Sequence, residues 1–158
     1  MSYWWGSRKN VSPRLRIEVE AMRATFGDTF RLIVPQDGLL YWAGAVDIAV
    51  SNAPQREHML KILYPEQYPL RPPEAYVLKP YIYSPKHQFE DGQLCLFNPK
   101  DGTTYGWNPS RSTAVTVAGW AIQWLYAFYT WQKLKVWPGE EEQVRKSPLS
   151  GLRRREDF

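Results

Sequence analysis

At 158 residues the chain is the size of one domain and long enough to bury a core without disulfides or metal. One cysteine and two histidines exclude an internal disulfide and a closed zinc site of Cys and His alone, and they favour a reducing, cytoplasmic setting. The formal charge of +4 is too mild to demand nucleic acid as a partner, and the opening MSYWWGSRKN has no long apolar run of the kind a signal peptide needs.

Residues 1–11 read as an N-terminal arm, with Trp4 and Trp5 pinning it to the body. Ser12-Pro13 starts a helix, a capping hydroxyl followed by proline at the first helical position. Leu15, Val19, Met22 and Phe26 recur at helical spacing and give it an apolar face. Arg14, Arg16, Glu18, Glu20 and Arg23 fall mostly on the other side, and Gly27-Asp28 ends the helix.

Strands are expected at Phe30 to Val34, Leu39 to Val50 and His58 to Leu63, with turns at 35–38 and 51–54 and a shorter fourth strand at Ala75 to Leu78. Short turns between consecutive strands favour an antiparallel meander. Gly44 is read as a point where the second strand bends, and His58 as a satisfied strand residue. From Tyr64 to Pro109 the chain is irregular, rich first in proline and then in glycine, and it contains the lone thiol, Cys95.

A second helix follows Trp107-Asn108-Pro109-Ser110, capped by Ser110 or Ser112. Val117, Ile122, Leu125 and Phe128, widened by Trp120, Trp124 and Trp131, make it the core helix lying on the sheet. Gln123 and Thr130 interrupt its apolar run, which is short for a membrane span, so no membrane is expected as a partner. Trp137-Pro138-Gly139 breaks the pattern. Residues 140–158 form a charged, loose tail with Ser147-Pro148 and the run Arg153 to Arg155, the one place where a nucleic-acid adaptor would find its contacts. The whole, 1–158, is read as a single domain.

In isolation, a lone cysteine reads as buried filler. The context of Cys95 favours a reactive thiol. Asp91-Gly92 makes a tight turn just before it, and Leu94, Leu96 and Phe97 anchor the flanking backbone, so the thiol is expected exposed in a shallow groove. His87, eight residues earlier, reads equally as a structural loop residue or as a group that orders the loop, supports an oxyanion or acts as a base. No Cys-His-Asp or Cys-His-Asn constellation is evident. A thiol without a strongly partnered base suits exchange of one thioester for another, followed by attack of an amine, because the acyl group arrives already activated.

At these residues the chain resembles the ubiquitin-conjugating (E2) family. The run Tyr64-Pro65-Glu66-Gln67-Tyr68-Pro69-Leu70-Arg71-Pro72-Pro73 is similar to that family's proline-rich turn before the fourth strand. Asp91-Gly92-Gln93-Leu94-Cys95-Leu96 is similar to its active-site strand, and Trp107-Asn108-Pro109 to its Trp-x-Pro element. The resemblance implies an α+β ubiquitin-conjugating fold: N-terminal helix, four-stranded antiparallel meander, active-site loop, central helix and a truncated C-terminal region. It makes Cys95 the nucleophile and Asp91, Gly92, Leu94, Trp107 and Asn108 residues of the groove or loop. His87 stands where the family usually has the Asn of His-Pro-Asn, and Pro85-Lys86 replaces the His-Pro pair. These departures resemble the compact bacterial E2-like proteins of cyclic-oligonucleotide (CBASS) anti-phage operons. The implied partners are the C-terminal tail of a cGAS-like nucleotidyltransferase and target amines, with or without a separate activating enzyme. No cofactor or metal is implied, and no Gly-rich nucleotide loop is present with which to adenylate a substrate. The alternative is a non-catalytic module of the same fold that docks on a partner and regulates it.

Overall fold

Ser12 caps the first helix, α1 (Pro13–Phe26), by accepting the Leu15 N–H at 3.1 Å, with proline in the first turn. The computed structural model describes residues 3–96 and 106–138. The tail at 140–158, with Arg153 to Arg155, lies outside the described residues, as does Phe97. Four strands follow α1: β1 (Phe30–Ile33), β2 (Tyr41–Asp47), β3 (Glu57–Leu63) and β4 (Glu74–Lys79). They pair antiparallel in sequence order, Phe30 opposite Gly44, Tyr41 opposite Leu63 and Leu60 opposite Val77. The expected meander is present. β2 is shorter than its apolar run because pairing ends at Asp47 opposite Glu57.

Trp42, Val46, His58, Leu60, Ile62 and Ala75 point inward, as the period-two alternation requires. The second helix, α2 (Ala114–Leu134), covers that face and packs on α1, β3 and β4. Its inner side carries Val117, Ala118, Ala121, Trp124, Leu125, Phe128 and Tyr129. Among the described residues no helix is long and apolar enough to cross a membrane. The arm is pinned by both tryptophans. Trp5 is buried and its indole donates to the Gly38 carbonyl at 3.0 Å, while Trp4 packs on Tyr64 and Tyr68 at 4.8 and 4.7 Å between centroids.

Three local expectations are corrected. The cap of α2 is Thr113, whose hydroxyl accepts from Val115 N while Thr116 Oγ1 accepts from Thr113 N. Ser110 and Ser112 instead tie the preceding turn to Asn108. Gly44 is not a bend: a Cβ there would stand 2.5 Å from the Thr29 carbonyl oxygen and 2.7 Å from the Phe30 ring, so glycine allows β1 to pack close. Glu18 is not on the solvent side of α1. It is fully buried, accepting from Tyr64 Oη at 2.7 Å, from Tyr68 Oη and from the Ala114 N–H at 2.8 Å.

Candidate active site

The run leaving β4 passes two exposed tyrosines, Tyr81 and Tyr83, and then folds on itself. Ser84 and Gln88 organise the first bend. The Ser84 N–H donates to Gln88 Oε1 at 2.8 Å, and the Gln88 side chain reaches forward to donate to the Gly92 carbonyl at 3.1 Å. A tight hairpin follows. Phe89 N–H donates to the Gln93 carbonyl and Gly92 N–H to the Phe89 carbonyl, both at 2.9 Å. Gly92 takes φ of 96°, and Asp91 Oδ1 accepts the Gln93 N–H at 3.0 Å, the local bond that makes Asp-Gly a turn.

The returning strand is pinned from two directions. Leu94, buried, donates its N–H to the Ala75 carbonyl of β4 at 2.9 Å. The next N–H, that of Cys95, donates to the His87 carbonyl at 2.9 Å. His87 is itself held in the left-handed region, at φ of 63°. The same carbonyl accepts the indole N–H of Trp124 in α2 at 2.8 Å, and the His87 ring lies 4.4 Å from that of Trp137.

The hairpin therefore gathers His87, Asp91, Gly92, Leu94 and Cys95. Trp107 and Asn108 are engaged elsewhere. The Trp107 indole donates to the Pro69 carbonyl at 2.9 Å, and its ring meets Tyr68 at 5.8 Å, so it buttresses the proline-rich turn. Asn108 Oδ1 accepts from Ser110 and shapes the approach to α2.

Cys95 departs from the expected exposed thiol: only 9% of its surface is accessible. Burial pushes the thiol up to about 11, with the Asp91 carboxylate adding to the effect. Trp124 and Trp137 were not legible as residues of the site. Trp124 reads as core bulk in the helical pattern. The available signal is that a buried indole N–H needs an acceptor, and the irregular loop is where free carbonyls are found.

The comparison with curated proteins returns no match. Among solved structures the chain is similar to the Vps23 UEV in complex with ubiquitin, at 16% identity and a TM-score of 0.45, over 70% of this chain and 79% of that one. It is similar to a ubiquitin-conjugating enzyme E2 of Plasmodium falciparum, at 22% identity and 0.46, over 70% and 96%. It is also similar to human ubiquitin-conjugating enzyme E2 G1, at 19% and 0.46, over 72% and 96%. Residues 18–144, most of the chain, match the sequence pattern described as Type II CBASS E2 protein. The match takes in the latter part of α1, the meander, the Cys95 hairpin and α2, and with it the chain belongs to the family of type II CBASS E2 proteins.

Proposed function

We propose that the chain is an E2-like transferase that carries a protein C-terminus as a thioester on Cys95 and hands it to an amine. The observation that carries this reading is the anchoring of the chain's single thiol: the N–H groups of Leu94 and Cys95 are tied to β4 and to His87. A nucleophile held on a rigid hairpin suits chemistry in which the acyl group arrives activated and the enzyme mainly positions it.

In the first step the Cys95 sulfur attacks the acyl carbon of a C-terminus held as a thioester on a separate activating protein. The S–C bond to Cys95 forms, the bond to the donor sulfur breaks, and the Cys95 proton leaves with the donor thiolate. In the second step an amine attacks the same carbon, the S–C bond breaks, and the amine proton returns to Cys95. His87 orders the loop through its carbonyl. That oxygen would repel a developing oxyanion, so oxyanion support falls to the His87 ring. Family membership ties the chain to a CBASS operon. Within it, the donor tail is that of the cGAS-like nucleotidyltransferase, and the setting is cytoplasmic.

The test is co-expression with the partner nucleotidyltransferase and an activating source, followed by intact mass. The expected outcome is an adduct on Cys95 that excess thiol cleaves and that is lost in Cys95→Ala. An adduct that persists in Cys95→Ala ends the reading. The burial of Cys95 favours the second reading, a binding module of the same fold. In that case no adduct forms, and Cys95→Ala leaves regulation of the partner intact.

A further inference from the structure

The Cys95 backbone hangs on one acceptor, and that acceptor is fixed from outside the loop. The His87 carbonyl receives the Cys95 N–H at 2.9 Å and the Trp124 indole N–H at 2.8 Å. To aim at both donors, His87 adopts φ of 63°. For a residue with a Cβ this conformation is uncommon and persists where the surroundings hold it. Two tryptophans supply the hold. Trp124 bonds the carbonyl, and Trp137 covers the imidazole at 4.4 Å. The two indoles brace each other edge to face at 5.4 Å, and Trp124 is stacked on Phe128 at 5.5 Å, so the clamp is continuous with the core of α2. Nothing in this geometry needs the fold to use a tryptophan at 124; packing on Phe128 alone is satisfied by any flat ring.

We infer that Trp124 is a positioning residue for Cys95, with Trp137 as its brace: the Trp124 N–H fixes the His87 carbonyl, and that carbonyl fixes the backbone that carries the thiol. Its consequence for transfer rests on the thioester reading, whereas its consequence for the Cys95 amide does not. A loosened carbonyl lets the hairpin strand drift, and small misplacement of a nucleophile is felt in the chemical step more than in docking.

The decisive variant is Trp124→Phe, which keeps a ring between Phe128 and Trp137 and removes only the donor. Two readouts are taken on the full chain: amide hydrogen exchange at Cys95, and single-turnover charging with the activated nucleotidyltransferase tail. The expected result is Cys95 exchange faster by about tenfold or more and a charging kcat lower by about tenfold, with KM for the donor changed by less than about twofold. Trp131→Phe, on the same helix but away from His87, leaves both readouts unchanged. Unchanged exchange and kcat in Trp124→Phe overturn the inference. So does an equal effect in Trp131→Phe, which reports general loosening of α2. Faster exchange in a protein that never charges, even as wild type, upholds the clamp and removes the thioester reading. Should Trp124→Phe fail to fold, Trp137→Leu releases the brace from the other side, and the same exchange signature is required of it.

Discussion

Cys95 is set up to stay protonated. With its thiol pushed up to about 11, the thiolate fraction near neutral pH is on the order of 10⁻³ to 10⁻⁴. Burial is the larger cause and Asp91 the smaller. A thiol of this kind is slow toward stray electrophiles yet strongly nucleophilic once ionised, a balance that suits the proposed transfer, in which it meets one activated donor. Asp91 offers a clean way to weigh the smaller cause, because Asn keeps the oxygen that accepts the Gln93 N–H. Asp91→Asn is expected to raise the rate of Cys95 alkylation by iodoacetamide at about pH 8 by about two- to fivefold, with the fold unchanged. A rate equal to wild type or slower would show that the carboxylate does not act on the thiol. The turn itself was legible in the sequence, since Asp-Gly before a short apolar run has one good local solution. The burial of the thiol was not, because exposure is set by how the folded hairpin packs and not by the local turn pattern.

Helix α1 shows where periodicity misleads. Leu15, Val19, Met22 and Phe26 mark its apolar face, yet the buried line of the helix is Leu15, Glu18 and Met22, at spacings of three and four. A charge in the middle of that line was the legible sign of a buried polar joint. Glu18 accepts from Tyr64, Tyr68 and the first N–H of α2, while Arg14 Nε stands 3.4 Å from Oε2 at ion-pair distance. Tyr64 in turn accepts the Trp42 indole at 2.8 Å, and Arg14 reaches the carbonyls of Pro109 and Ser112. One carboxylate thus joins α1, the sheet, the proline-rich turn and the start of α2. Burial and the adjacent carboxylate push the Tyr64 and Tyr68 hydroxyls far up, so both remain donors. Glu18→Gln puts an amide where donors converge and leaves Arg14 without its counter-charge. The expected loss is about 2–4 kcal/mol in urea unfolding, less than for a fully buried pair because Arg14 is partly solvated. A loss below about 0.5 kcal/mol would mean that the joint relaxes around the amide.

Across the whole molecule, the order of elements and the antiparallel meander follow from alternation and short turns, and so were legible. How the two layers lock was not, since it depends on side chains far apart in the chain. The joint between sheet and helix is the pair His58 and Tyr129. The imidazole is fully buried, with Nε2 2.6 Å from the Tyr129 hydroxyl and Nδ1 3.1 Å from the Arg56 carbonyl. This arrangement suits the neutral ring, Nδ1–H donating to the carbonyl and Nε2 accepting from the hydroxyl. A charged ring would put a proton on Nε2 facing a hydroxyl that must then turn away. Burial accordingly lowers the His58 pKa below 6.5. With the folded value depressed, the unfolded chain binds the proton more readily. Stability is therefore full above about pH 6.5 and declines as pH falls through the unfolded value toward the folded one. Between about pH 7.5 and 5.5 histidine is the side chain whose ordinary pKa falls in range, so the window is narrow enough to assign by comparison with a His58 variant. The melting temperature is expected to fall across it in the wild type. In His58→Gln the melting temperature starts lower at about pH 7.5, for want of the ring, and then varies less with pH. An equal slope in the two proteins would place the titrating group elsewhere and leave the His58–Tyr129 joint insensitive to acid.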